Sequence, residues 1–108
     1  MFARRVSVQL KPNSAAEFSR KLESDVIPLL RKQNGFEDEL TFTSREGKEA
    51  FGISLWDRKE DCEAYVRDPY PQVLKMLEKV IEGTPRVETY EVSNSTCHRI
   101  VAAATTQR

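Results

Sequence analysis

Two charged side chains occupy strand faces that are otherwise apolar, and they are the first candidates for chemistry in this sequence. Arg4 alternates with Val6 and Val8 in one predicted strand, and Asp38 alternates with Leu40 in another. If both faces turn toward the core, a guanidinium and a carboxylate meet beneath the helices. Such a pair could be a partly buried ion pair with no further role. It could also bind an anionic group through Arg4 while Asp38 accepts a proton.

Three aromatic residues stand where a pocket would open. Tyr65 and Tyr70 flank a predicted break in the second helix, where the sequence runs Asp68-Pro69-Tyr70-Pro71. A residue that precedes proline avoids the helical conformation, so the helical layer should open at this point. The two tyrosines would lie at the mouth of a pocket, or pack as ordinary core or rim residues. Trp56 ends the third predicted strand, and we expect it either at a dimer interface or in the pocket.

The other residues capable of chemistry form no recognisable motif. Cys62 and Cys97 are isolated, without metal-ligand spacing, and the single histidine, His98, lies in a polar tail. The chain has no glycine-rich phosphate loop, no nucleophile elbow and no paired histidines. We therefore predict no bound metal and no cofactor. The catalytic residues cannot be named from the sequence.

Composition excludes several classes of partner. The 108 residues suffice for one domain, and 17 Lys and Arg balance 17 Asp and Glu. Without a basic excess, binding to nucleic acid or to an anionic membrane is not expected. No apolar run approaches the roughly 20 residues that span a bilayer, and the N-terminus lacks the apolar core of a signal peptide. Two isolated cysteines suit a reducing compartment, so the expected location is the cytoplasm.

Hydrophobic periodicity predicts four strands and two helices, in the order β-α-β-β-α-β. The strands are predicted over residues 2–10, 36–43, 49–56 and 85–92, and the second helix is predicted to run as far as residue 83. Ser14 with Glu17, and Asp57 with Glu60, have the spacing of helix N-terminal caps, and Pro28 should kink the first helix. Residues 1–93 would form the domain. Residues 94–108 would form a tail with one short strand candidate, at residues 98–103.

This order of elements is that of the ferredoxin-like α+β fold, a four-stranded antiparallel sheet with both helices on one face. The helix-free face is predicted to carry the alternate side chains of each strand, among them Arg5, Ser54 and Trp56. A helix-free face that bears a tryptophan is suited to self-association, and closed dimers are the commonest assemblies. We therefore expect a homodimer.

Three segments give the chain a family resemblance. They are the first strand, the helix end Val26-Ile27-Pro28-Leu29-Leu30 before Asn34-Gly35-Phe36, and the junction Leu55-Trp56-Asp57 followed by Cys62-Glu63-Ala64-Tyr65. Over residues 2–92 the chain resembles the antibiotic biosynthesis monooxygenase family, the dimeric α+β barrels. The resemblance implies a small cytosolic homodimer that oxidises phenolic or quinol-like molecules with oxygen, without a cofactor. It equally allows a non-enzymatic binding or structural module, since one fold carries many functions.

The resemblance also bears on the choice of residues and on haem. Relatives that oxidise phenols use Asn, Trp, Tyr and Arg around a pocket between helices and sheet, and Arg4, Tyr65 and Tyr70 supply similar groups. In that setting Arg4 would orient a phenolate. The haem-degrading branch instead uses an Asn, a Trp and a ligating His, at places that here hold Arg4 or Arg5, Tyr65 and Lys75. We therefore expect no haem binding.

Overall fold

The computed structural model describes residues 1–100, and its elements follow the predicted order. They are β1 (Phe2–Leu10), α1 (Ala15–Lys21), a π-helical turn (Leu22–Val26), α2 (Ile27–Arg31), β2 (Phe36–Thr43), β3 (Glu49–Trp56), α3 (Lys59–Arg67), α4 (Pro69–Leu77) and β4 (Ile81–Glu91). The strands form one antiparallel sheet in the order β2-β3-β1-β4. This is the ferredoxin-like α+β arrangement, as predicted. In the described part of the chain, no helix is both long and apolar enough to cross a membrane.

The first helix changes its winding where proline removes a donor. Pro28 has no N–H to offer the carbonyl four residues earlier, and the preceding turn widens so that the Ile27 N–H bonds the Leu22 carbonyl. The predicted kink is therefore a π-helical turn. It keeps Leu22 and Val26 buried on the sheet side. The predicted capping box is wrong, because the Ser14 side chain makes no capping bond to the helix.

The second helical region breaks as predicted but ends early. α3 stops at Arg67 and α4 starts at Pro69, whose missing N–H costs nothing in the first turn. The predicted cap by Asp57 is wrong, because α3 begins one residue later, after Arg58, without a side-chain cap. The predicted helix end at residue 83 is also wrong. Ile81 already belongs to β4, where it pairs with Leu10.

A β-bulge in β2 reverses the faces of most of that strand. Phe36 pairs with Trp56 and Asp38 pairs with Leu55, so Glu37 is an extra residue with no partner of its own. Because side chains alternate, one extra residue moves every later side chain to the opposite face. Asp38, Leu40 and Phe42 therefore point away from the helices. The prediction that Asp38 shares a face with Arg4 was wrong.

The faces of β3 are also the reverse of the prediction. Phe2 pairs with Trp56 and Arg4 pairs with Ser54, which puts Trp56 and Ser54 beneath the helices. Trp56 is fully buried, and its indole N–H donates to Ser54 Oγ at 2.9 Å. The expectation that Trp56 stands on the helix-free face was wrong. That face carries the more apolar set of β3, namely Phe51, Ile53 and Leu55.

The segment after β4 returns across the sheet. β4 and β2 are opposite edges, yet His98 Nε2 contacts the Asp38 carboxylate on β2. Residues 92–98 therefore lead from the β4 edge of the sheet to β2 at the opposite edge. Residues 98–100 have no strand structure, and the remainder of the strand candidate at 98–103 lies outside the described residues.

Candidate active site

An apolar cleft separates the helical layer from the sheet. The space inside it that water can enter is about 80 Å³, enough for a few water molecules and less than the roughly 300–1,000 Å³ of most small-molecule sites. Its apolar walls come from β1 and from the helices, and they include Val6, Val8, Phe18, Leu22, Val73 and Leu77. The polar groups are few, and they come from the central strands and from the broken helix: Arg4, Glu39, Thr41, Ser54, Tyr65 and Tyr70.

Arg4 is the most unusual residue in this cleft. It lies on the core face of β1, as predicted, and it is 5% exposed. Among residues 1–100 its guanidinium has no ion-pair or hydrogen-bond partner, and it lies instead over the Tyr70 ring, 4.1 Å from the ring centre. Its nitrogens still reach the open space of the cleft, because none of them is among the fully buried atoms that lack a partner. Arg4 therefore presents a positive charge in an apolar cleft that an anion could enter.

The two predicted tyrosines meet at this charge. Tyr70 comes from the first turn of α4, directly after the break, and its ring lies 5.9 Å from that of Tyr65. Tyr65 is buried, and burial raises the pKa of its phenol while the nearby charge of Arg4 lowers it in part. Tyr65 therefore keeps its proton at neutral pH. It can donate a hydrogen bond but does not act as a base.

Glu39 is a cleft residue that the sequence pattern missed. The bulge turns it toward the helices, and Thr41 Oγ1 donates to its Oε2 at 2.7 Å. A Cβ atom on Gly52 would lie 2.7 Å from the same oxygen, so a larger residue there would displace the carboxylate from its present position. Burial raises the pKa of Glu39, and the Thr41 bond lowers it in part. The one signal of this arrangement in the sequence was Gly52, a glycine within an otherwise well-formed strand.

The other predicted site residues lie outside the cleft. Trp56 does not line it but supports it, because its ring packs 5.2 Å from that of Tyr65. Asp38 lies on the opposite side of the sheet with His98. Cys62 is 2% exposed, and burial raises the pKa of its thiol, which makes it a poor nucleophile. Within residues 1–100, no three His, Cys, Asp or Glu side chains are grouped so as to hold a metal ion.

The helix-free face of the sheet carries a separate apolar patch. Leu40 is 52% exposed and Phe42 is 44% exposed, and the Phe42 ring stacks on Phe51 at 4.7 Å. Arg5 lies over the same Phe51 ring, with its guanidinium carbon 4.2 Å from the ring centre. Its Nε is buried and has no hydrogen-bond partner in the described chain. This patch consists of Leu40, Phe42, Phe51 and Arg5.

Comparison with known proteins gives similarity of structure only. No family model matches the sequence, and no curated protein matches it. Among solved structures, the ActVA-Orf6 monooxygenase of Streptomyces coelicolor, in complex with Nanaomycin D, has a TM-score of 0.76 at 14% identity over 91% of this chain and 92% of that chain. SnoaB, a cofactor-independent oxygenase from Streptomyces nogalater, has a TM-score of 0.73 at 12% identity over 90% and 97%. A protein of unknown function from Nitrosomonas europaea has a TM-score of 0.75 at 15% identity over 91% and 94%.

At these identities the similarity shows the fold alone. The chain has the fold of solved structures described as antibiotic biosynthesis monooxygenases, among them those from Bordetella bronchiseptica and Deinococcus radiodurans, which confirms the resemblance found in the sequence. Proteins of unknown function share the fold as well. The activity therefore has to be argued from the cleft itself.

Proposed function

We propose that this protein oxidises a small phenolic or quinol-like molecule with molecular oxygen, using no cofactor, in the cleft beside Arg4. The observation that carries the proposal is the guanidinium of Arg4, a buried residue, which has no hydrogen-bond or ion-pair partner among residues 1–100 and lies in a largely apolar cleft. A phenolate combines a flat apolar ring with one negative oxygen, and it would satisfy both parts of the site. The alternative, a binding module that does not oxidise its ligand, uses the same cleft.

The proposed mechanism assigns the protein a modest chemical task. Arg4 stabilises the phenolate oxygen, and loss of the proton makes the ring electron-rich enough to react with oxygen. One oxygen atom then bonds to a ring carbon and the other leaves as water. The ring supplies the electrons and the hydrogens that form this water, so the product is a quinone. The cleft binds and orients the substrate and excludes bulk water, and the Tyr65 hydroxyl can donate a hydrogen bond to a second substrate oxygen.

The protein is further proposed to be a homodimer that forms through the helix-free face. Leu40 and Phe42 are large apolar residues half exposed to water, and the buried Nε of Arg5 lacks a partner. A second copy of the same face would cover the patch and could offer an acceptor to Arg5. The dimer would leave each cleft on the helical side of its own sheet. With two free thiols, Cys62 and Cys97, the proposed location is the cytoplasm.

Oxygen consumption tests the proposed activity. An oxygen electrode would follow the purified protein with hydroquinone and with naphthols, against the same mixtures without protein. We expect protein-dependent uptake that the Arg4→Met variant loses and that the Arg45→Met variant, altered in an exposed hairpin, retains. Tight binding of these compounds without uptake would favour the binding module. The absence of both oxygen uptake and binding would contradict both functions.

A further inference from the structure

The Glu39 carboxylate separates two clefts. On one side it lines the apolar cleft with Arg4 and Tyr65. On the other side it lines a more polar cleft between the first helix and the edge strand β2, whose remaining walls include Glu23 and Arg31. Thr41 and Leu22 line both clefts. Glu39 thus stands between the space proposed for the substrate and a separate opening to solvent.

The position of this carboxylate is fixed while much of its hydrogen-bonding capacity is unused. Thr41 donates to Oε2, and the absence of a side chain at Gly52 leaves space for that same oxygen. Within the described residues Glu39 forms no ion pair, although Arg4 of β1 lines the apolar cleft with it and Arg31 of α2 lines the second cleft with it. Glu23, Tyr65 and Tyr70 are the other titratable groups that line the two clefts. Oε1 is therefore available to accept a proton.

We infer that Glu39 is the proton acceptor for a phenol bound beside Arg4 and that it returns the proton to water through the second cleft. This inference rests on the proposed function. The phenol O–H bond breaks, its electron pair stays on the oxygen beside Arg4, and the proton bonds to Glu39 Oε1. The total charge of the cleft does not change, but the unpaired guanidinium gains a counter-ion and the carboxylate becomes neutral. The proton then passes to water on the side of Glu23 and Arg31.

The chemistry of the group suits this role. Burial raises the pKa of Glu39, which brings the carboxylate closer in basicity to the phenol from which it takes the proton. The hydroxyl of Thr41 stabilises the ionised form and so opposes this rise. Thr41 is a positioning residue in this scheme. Its removal should make Glu39 a stronger base that loses its charge at a higher pH.

The test compares catalysis with binding in the full-length protein. Oxygen uptake with hydroquinone gives kcat and its pH profile, and titration with para-nitrophenol gives the affinity of the cleft for a phenol. For Glu39→Gln we expect kcat to fall by about 100- to 10,000-fold, the usual contribution of a positioned base, and the acid limb of the profile to disappear. Affinity for para-nitrophenol should change by less than about threefold, as expected when an interaction confined to the transition state is lost. Glu46→Gln, in the exposed hairpin, should match wild type.

Thr41→Val provides a second test that does not depend on removing the carboxylate. The acid limb of its kcat profile should move to higher pH than that of wild type, and an unmoved acid limb would contradict the positioning role of Thr41. A wild-type protein that binds no phenol and consumes no oxygen would contradict the proposed function, and the role of Glu39 with it. An active wild type whose Glu39→Gln variant keeps the same kcat and acid limb would overturn the role of Glu39 alone.

Discussion

The guanidinium carbon of Arg4 lies 4.1 Å from the centre of the Tyr70 ring, so a cation on β1 is held by an aromatic face from the first turn of α4. A cation–π contact of this kind contributes about 0.5–2 kcal/mol and leaves the N–H donors of the arginine unused. The break between α3 and α4 therefore does more than end a helix. It places a ring that orients Arg4 without neutralising it.

Replacing Tyr70 tests this contact. Tyr70→Leu should weaken binding of para-nitrophenol by about 2- to 30-fold, the equivalent of a cation–π contact, because Arg4 loses the surface that orients it. Tyr70→Phe keeps the ring and should bind nearly as wild type does. Isothermal titration of the three proteins measures the difference. Equal loss in the Leu and Phe variants would mean that the hydroxyl, and not the ring, is what matters.

Trp56 should be important for stability and not for assembly. It is fully buried, donates to Ser54 and packs edge-on to Phe36 at a ring distance of 5.5 Å. Trp56→Ala should lower the free energy of unfolding by about 3–5 kcal/mol, as for other large buried aromatics. Urea denaturation followed by far-ultraviolet circular dichroism measures this. A folded variant of unchanged stability would contradict the burial of Trp56.

Self-association should depend on the helix-free face. Phe42→Glu places a charge in the apolar patch, where a second copy would bury it without a partner, and the protein should become monomeric. Light scattering coupled to size exclusion gives the mass directly. Val66→Glu is the matched control, since Val66 is an exposed apolar residue of α3 on the other side of the molecule. A wild-type mass of one chain, or a Phe42→Glu dimer, would contradict the proposed interface.

The stability of the fold should vary with pH through Glu39. Burial raises the pKa of this carboxyl in the folded state above 4.5, its ordinary value in an unfolded chain. At pH values between the unfolded-state pKa and the folded-state pKa, the folded protein therefore binds more protons than the unfolded chain. The free energy of unfolding should therefore fall as pH rises through that window. Glu39→Gln removes this effect and should gain stability relative to wild type over the same window. Glu37, whose pKa is raised by a hydrogen bond with Asp57, is present in both proteins and cancels in the comparison.

Denaturation series at several pH values measure this difference. A constant gap between wild type and Glu39→Gln at all pH values would mean that the carboxyl titrates in the folded protein as it does in the unfolded chain. The sign is the informative part. If Glu39→Gln instead lost stability relative to wild type as the pH rises, the pKa of Glu39 would be depressed and its carboxylate stabilised by a charge, such as Arg4.

The sequence predicted the order of elements and the place of Arg4 because both follow from regular alternation and from proline. It failed where one residue interrupts the alternation. The bulge at Glu37 places Glu39 instead of Asp38 in the cleft, and apart from Gly52 in the neighbouring strand nothing in the residue types marks the extra position. Both faces of β3 carry apolar residues, so hydrophobicity alone could not decide whether Phe51 or Trp56 lies under the helices. The geometry of the sheet, and not its composition, decides these assignments.

The most direct test of the central claim is the affinity of para-nitrophenol for wild type, Arg4→Met and Arg45→Met, measured at a pH where the free probe is ionised. A hydrogen bond to a charged group contributes about 1.5–3 kcal/mol, so Arg4→Met should bind at least about 10-fold more weakly. Arg45→Met should bind as wild type does. Since Arg4 has no hydrogen-bond or ion-pair partner among the described residues, the Met variant should lose no more stability than the about 0.5–2 kcal/mol of its contact with Tyr70. Equal affinity of wild type and Arg4→Met would contradict the account, because the cleft would then bind the phenolate without using the charge of Arg4.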